Sequence, residues 1–294
     1  MAKTIAALLF LGVSISSPAL PQGSAPEDTA RVVHQSWLGN SRLRESSALA
    51  ASRREPGLLW TLNDSGNPPE LFAIDSSGRD RGVFRILDAE NRDWEAMALA
   101  RCGNTDCLYV ADVGDNGARH RAVRMYRVPE PARPSAPGGT VESNGVIELR
   151  YEDGPRNAEA ILVTGDQDVY LITKERAGGG RVYLVDKDAW NARGRLVTAR
   201  FIQQLPLPDG LGYQITDATL GLNGIDVAVR TYSYLFFFRL ENGKLVPDPD
   251  RQRCYAGGLD AQGEGITWLR DARLATTSER LVGLGGTVSI VECR

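Results

Sequence analysis

The sequence predicts an all-β fold: a β-propeller of five units, with six as the alternative count, closed by an N-terminal strand. Three observations predict it. Short runs rich in β-branched and aromatic residues alternate with Gly, Asp, Asn and Pro turn signals, with no long helical pattern between them. A carboxylate leading into small or apolar residues recurs along the chain. The recurrence interval is near the ~40–50 residues of a four-stranded propeller blade.

Ahead of the first unit, Met1-Ala2-Lys3 opens a positively charged start, followed by an apolar run over residues 4–13 and a small-residue segment containing Ser17-Pro18-Ala19. This is the pattern of a secretory signal. The apolar run is about half the roughly 20 residues of a membrane span. Residues 1–25 are therefore expected to be a signal peptide cut after Ala19 or Ala25, and residues 26–294 a single propeller domain. The expected location is secreted or periplasmic, without membrane insertion.

The units align on their acidic leads: Glu45-Ser46-Ser47-Ala48, Glu95-Ala96-Met97-Ala98, Glu159-Ala160-Ile161-Leu162, Asp217-Ala218-Thr219-Leu220 and Glu264-Gly265-Ile266-Thr267. The leads of Glu45, Glu95, Glu159, Asp217 and Glu264 lie 50, 64, 58 and 47 residues apart. A second run follows each after a turn, at 59–63, 108–112, 169–173, 226–230 and 274–278, and a third run follows that. Residues 82–87 and 196–202 are examples of a fourth. The last unit runs out of chain after about three strands, and residues 30–38 are placed to supply its missing outer strand. Residues 129–144, rich in Pro, Ala, Gly and Ser, read as a long loop within the second unit.

Composition narrows the function classes. The hydrophobic fraction of 42% is ample for a core, and the formal charge of −3 becomes −4 once Lys3 is removed with the signal. That argues against a nucleic-acid or anionic-membrane partner, since those favour a concentrated basic surface. Four cysteines in an oxidising compartment favour disulfides. Cys102 and Cys107 flank a turn-like Gly-Asn-Thr-Asp and are placed to staple a hairpin, leaving Cys254 and Cys293 to pair by elimination. With only two histidines and no Gly-x-Ser-x-Gly or His-Glu-x-x-His motif, Ser-His-Asp and zinc-hydrolase chemistry are not supported.

In a propeller the first strand of each blade lines the axial channel, so residues at equivalent starts converge. Glu45, Glu95, Glu159, Asp217 and Glu264 are expected to ring one mouth, with Asn63 and Asp112 from second-strand ends as further oxygen donors. Like charges so placed call for protons, partners or a cation. Oxygen donors alone select a hard divalent ion, Ca²⁺ outside the cell. The competing structural role is backbone capping or pairing with basic residues. Lys174 and Arg230 are expected to face the same channel. With Glu95 or Glu159 activating water, they form the candidate catalytic set for a small anionic or polar substrate. The loops Asn63-Asp64-Ser65-Gly66-Asn67 and Asp112-Val113-Gly114-Asp115-Asn116-Gly117 are dense in oxygen donors, and Asp93, Arg156 and Asn157 are placed to rim the mouth. His120, among Arg119, Arg121 and Arg124, reads as a solvated loop.

The Glu-Ala or Glu-Gly lead with polar second-strand ends resembles secreted bacterial propellers of the SdiA-regulated, phytase-like and strictosidine-synthase-like groups, over nearly the whole mature chain. Among five-bladed families, Glu264-Gly265-Ile266 with Thr277-Ser278-Glu279, and Glu95-Ala96-Met97 with Asp112, are similar to the calcium-activated apyrases. That resemblance implies a calcium ion in a central tunnel and hydrolysis of nucleoside di- and triphosphates, although most loops outside these runs do not match the apyrases. Two readings follow: a metal-dependent hydrolase acting on phosphate esters, and a non-catalytic protein- or glycan-binding scaffold.

Overall fold

The computed structural model describes residues 28–132, 134–175, 177, 179–192, 194–259, 262–280 and 285–293; the expected signal peptide, 1–25, lies outside them. Strand β1 (Arg31–Trp37) precedes a run of antiparallel meanders. The first is β2 (Ser46–Ala51), β3 (Leu58–Asn63), β4 (Glu70–Asp75) and β5 (Asp80–Ile86). The second is β6 (Trp94–Cys102), β7 (Thr105–Asp112) and β8 (Val123–Pro129), interrupted by β9 (Gly138–Val141) and completed by β10 (Gly145–Tyr151). The third is β11 (Ala158–Val163), β12 (Val169–Thr173), β13 (Arg181–Val185) and β14 (Val197–Gln204). The fourth is β15 (Ile215–Leu220), β16 (Asp226–Thr231), β17 (Tyr234–Glu241) and β18 (Lys244–Pro247), with β19 (Cys254–Tyr255) also pairing on β17. The last is β20 (Gly263–Trp268), β21 (Leu274–Ser278) and β22 (Thr287–Glu292), and β1 pairs antiparallel with β22 as its outer strand.

Local chemistry sets the turns. Between β4 and β5, Asp75 Oδ1 accepts from the backbone N–H groups of Ser77 (2.9 Å) and Arg79 (3.1 Å) and from the Ser77 hydroxyl (2.6 Å). Gly78 takes φ 75°, and a Cβ there would lie 2.2 Å from the Trp37 carbonyl oxygen at the end of β1. This turn therefore needs glycine for its conformation and for the approach of the closing strand.

Packing converts the meanders into a ring. The first strands touch in the cyclic order β2, β6, β11, β15, β20 and back to β2. Among the described residues, an apolar cluster fills each gap between neighbouring sheets. Trp60 meets Trp94 and Met97; Tyr109 and Met125 meet Ile161 and Tyr183; Ala160 and Tyr170 meet Ile215 and Phe236. Phe237 then meets Ile266, and Ala275 and Val288 meet Leu49 and Leu59. The fold is all-β and propeller-like, with first strands buried on both faces, as in β11, where every residue is buried.

Sequence expectations for the edges need one adjustment. Residues 129–144 are not wholly a loop of the second meander: β9 pairs in parallel with β5 of the first, while β10 pairs in parallel with β14 of the third. Both contacts cover outer edges that would otherwise present unpaired backbone. The cysteines pair as expected, Cys102 with Cys107 and Cys254 with Cys293, at Cα separations of 5.8 and 5.9 Å. No helix among the described residues is long and apolar enough to cross a membrane.

Candidate metal centre at the channel mouth

Every first strand carries a β-bulge where it begins. Ser46 pairs with Asn63 and Ala48 with Leu62, leaving Ser47 unmatched. Likewise Glu95 is left between Trp94 and Ala96, Glu159 between Ala158 and Ala160, and Thr216 between Ile215 and Asp217. In the last meander Glu264 and Gly265 lie between the paired Gly263 and Ile266. A bulge re-aims a side chain that the regular pleat would turn away. The structurally equivalent residues are thus Ser47, Glu95, Glu159, Thr216 and Glu264, three carboxylates and two hydroxyls. The hydroxyls bridge to the next strand: Ser47 Oγ donates to Glu95 Oε2 (3.0 Å), and Thr216 Oγ1 donates to the Glu264 carbonyl (3.2 Å).

Several expected positions take other roles. Glu45 lies two residues before the bulge, is exposed, and accepts from Asn67 Nδ2 at 2.6 Å. Asp217 lies one residue beyond its bulge and is fully buried. Its Oδ2 accepts from the Ile266 N–H of β20 (2.8 Å) and its Oδ1 from the Ala218 N–H (2.8 Å), so it ties β15 to β20 and is not aimed at the mouth. Arg230 is buried and donates to the carbonyls of Gly265 (2.9 Å) and Thr277 (3.1 Å). That commits it to β20 and β21, not to a substrate. Asn63 accepts from the N–H groups of Arg44 (2.9 Å) and Glu45 (3.0 Å) and donates to the Arg42 carbonyl (2.8 Å), leaving no side-chain polar atom free as a ligand. Asp112 Oδ1 accepts from the Asp93 N–H (2.7 Å), pinning the segment that leads into β6.

The residues that do converge are Glu95, Glu159, Glu264 and Lys174, joined by Asp64, Asp93, Glu279 and Tyr232. Asp64, Asp93 and Glu95 each offer a carboxylate oxygen, and these oxygens all lie within 4.8 Å of one another. Gly114 makes room for them: a Cβ there would sit 2.4 Å from the Asp93 carboxyl and 2.8 Å from Glu95 Cγ. Beside this cluster Lys174 Nζ lies 3.3 Å from Glu159 Oε2 and 5.0 Å from the centre of the Tyr232 ring. Asn157 donates to the other Glu159 oxygen at 2.7 Å. Of the joining residues, the sequence places Asp93 at the rim of the mouth, marks Asp64 and Glu279 only as members of oxygen-rich or polar segments, and gives no signal for Tyr232.

Burial dominates the electrostatics. It pushes Glu95 well above the ordinary carboxyl range, with the Glu159, Asp64 and Asp93 charges adding and Lys174 opposing. Burial raises Glu159 to about 7 against the pull of Lys174, and Glu264 to about 8. Asp93 rises to about 6, through burial and then the charges of Asp64 and Asp112. Glu279 rises to about 7, by burial and then Asp64 and Glu45. Lys174 is held protonated by Glu159, its hydrogen bond with Tyr232 and Glu264, despite burial. Values raised chiefly by burial mean that the mouth is costly to hold fully ionised, a cost that a bound cation or protons can relieve. The all-oxygen donors fit a hard divalent ion.

No protein-family profile matches this chain, and no curated protein matches it by sequence. Solved structures do. The PQQ-bound aldose sugar dehydrogenase of Streptomyces coelicolor is similar at a TM-score of 0.55 and 10% identity, covering 92% of this chain and 100% of that one. The major Malassezia sympodialis allergen Mala s 1 is similar at a TM-score of 0.54 and 9% identity, covering 88% of this chain and 96% of that one. At these identities the likeness is one of fold.

Proposed function

We propose that the chain is an exported five-bladed propeller that holds a divalent cation, Ca²⁺ by its donor chemistry, at Asp64, Asp93 and Glu95, and acts there as a metal-dependent hydrolase of small anionic esters. The cluster of three carboxylate oxygens within 4.8 Å carries the reading. Two ligands of one Ca²⁺ ion, each at roughly 2.3–2.6 Å, can stand at most about 5 Å apart. Two disulfides support export, since such bonds persist in oxidising compartments. The resemblance to secreted phytase-like and apyrase-like propellers points the same way.

Held by Asp64, Asp93 and Glu95, a divalent cation would supply Lewis-acid stabilisation of developing negative charge. This chain's own groups supply the rest. Glu159, at about 7, is poised to take a proton from water near neutral pH, and Asn157 and Lys174 fix its two oxygens. Lys174 also places a positive charge where an anionic group can share it.

Calorimetric Ca²⁺ titration of the mature protein, with a screen of phosphatase, nucleotidase, lactonase and esterase substrates, tests both halves. The expected result is a single Ca²⁺ site lost in the Asp64→Asn/Asp93→Asn double variant. Turnover is expected to fall about 100-fold or more in Glu159→Gln, the scale of general-base catalysis. A wild-type protein that binds no divalent ion, or a double variant that binds it equally well, overturns the metal centre. Binding without turnover of any substrate leaves the non-catalytic scaffold as the function.

A further inference from the structure

Next to the three-carboxylate cluster lies an open depression of about 590 Å³, lined by Asp93, Asp115, Asn116, Gly117, Arg119 and His120. Its volume is within the roughly 300–1,000 Å³ of small-molecule sites. The sequence reads residues 112–117 as an oxygen-rich loop and His120 as solvated; residues 116–120 are exposed, and the loop is held in shape. Asp115 is buried, and its two carboxylate oxygens accept from the backbone N–H groups of Arg119 (2.9 Å) and His120 (2.7 Å). Its own N–H donates to Asn157 Oδ1 at 2.6 Å, and Asn157 Nδ2 reaches both Asn116 Oδ1 (3.3 Å) and Glu159 Oε1 (2.7 Å). The loop is thus coupled by one side chain to the carboxylate nominated as base.

Arg119 and His120 are exposed on this loop. Among the described residues the Arg119 guanidinium forms no ion pair, unlike Arg124 nearby, which meets Glu90 and Glu148. The Arg119 side chain lies across Gly117, where a Cβ would come within 3.0 Å of Nε. A guanidinium on a pinned loop, free of carboxylate partners and facing a cavity, matches the forked geometry of an oxyanion. Of the two lining carboxylates, Asp115 has both oxygens taken by backbone donors, and Asp93 belongs to the cluster whose charge a bound cation would offset.

We propose that the depression is the subsite for the oxyanion of a small molecule, a phosphate, sulfate or carboxylate group, with Arg119 as the specificity-determining residue and His120 beside it. The inference deepens the hydrolase reading and rests on it for the claim that the bound molecule is a substrate. The Arg119 contact itself does not need the metal, so anion binding is expected in metal-free buffer and is expected to tighten when a cation offsets the Asp93 charge.

The test titrates the mature protein with inorganic phosphate, sulfate and acetate, each in metal-free buffer and in saturating Ca²⁺, following His120 and loop amide signals by NMR. The expected result is saturable shifts localised to residues 115–120, with affinity falling about tenfold in Arg119→Ala and partly restored in Arg119→Lys, the loss expected for one charge-assisted contact. Arg119→Ala is expected to leave Ca²⁺ binding unchanged. Wild-type protein that shows no saturable anion binding in either buffer overturns the subsite, as does an Arg119→Ala variant that binds equally well. A protein that binds anions but no Ca²⁺ overturns the metal centre and leaves the subsite standing; the reverse result does the opposite.

Discussion

Asp217 shows how a buried charge-bearing residue can serve the fold alone. It has no exposure, and burial pushes its carboxyl well above the usual range against hydrogen bonds from the Ile266, Ala218 and Leu49 backbones and the Arg230 charge. Its donors come from its own strand, from β20 and from β2, so one side chain ties three first strands together. Asp217→Asn replaces one accepting oxygen with a donor facing a backbone N–H. Breaking one such bond and leaving a buried donor unmatched is expected to lower stability by about 1–3 kcal/mol in urea unfolding. The variant's Ca²⁺ affinity is expected to match wild type, because Asp217 does not reach the cluster at Asp64, Asp93 and Glu95. A variant of normal stability that had lost the cation would reverse these roles.

At the scale of elements, the bulges explain what the sequence revealed and what it hid. Strand runs, turns, the closing strand and both disulfides were legible, since they depend on local alternation, turn residues and cysteine spacing. The phase of the ring was not. Glu45 and Asp217 match the acidic pattern, yet the unmatched residues of β2 and β15 are Ser47 and Thr216, and Glu45 precedes β2 altogether. One residue of offset, as at Asp217, turns a side chain to the opposite face of the strand, and a bulge adds its extra residue without altering the local composition. Asp64 was hidden differently: it lies on a loop of the first meander, and only the packing of β2 against β6 brings it to Asp93, which the sequence places at the rim, and to Glu95. The disulfides give an element-scale prediction. Cys254–Cys293 closes a separation of 39 residues and fastens β19 to the segment after β22, whereas Cys102–Cys107 closes only 5 within one hairpin. On the loop-entropy model, the serine double variant of the long loop is expected to lose about 4 kcal/mol of unfolding free energy and that of the short loop about 2 kcal/mol. Equal losses in chemical denaturation would show that chain entropy does not govern these bonds.

For the whole molecule, the acidic mouth links proton, cation and fold stability. Asp93 at about 6, Glu159 and Glu279 at about 7 and Glu264 at about 8 all stand above their unfolded values. A carboxyl raised in the folded state favours folding while it is protonated, and that contribution is lost as pH rises through the folded value. Lys174 is also raised, but its contribution persists until well above this window, so it does not reverse the sign. The metal-free protein is therefore expected to reach its highest melting temperature near pH 5 and to fall by on the order of 5 °C by pH 8.5. A cation that binds only the folded mouth restores stability by about 2.7 kcal/mol at 100 times its Kd. Because protons compete for the same oxygens, the Ca²⁺-induced rise in melting temperature is expected to be small at pH 5 and to grow steadily to pH 8.5. Differential scanning calorimetry of the wild type and of Asp64→Asn/Asp93→Asn, with and without Ca²⁺, reads both slopes. In the double variant the metal-free decline is expected to be shallower, since two mutually repelling charges are gone, and the Ca²⁺ response absent. A melting temperature independent of pH would mean the mouth is not strained by its own charge, and a Ca²⁺ response independent of pH would place the ion elsewhere on the protein.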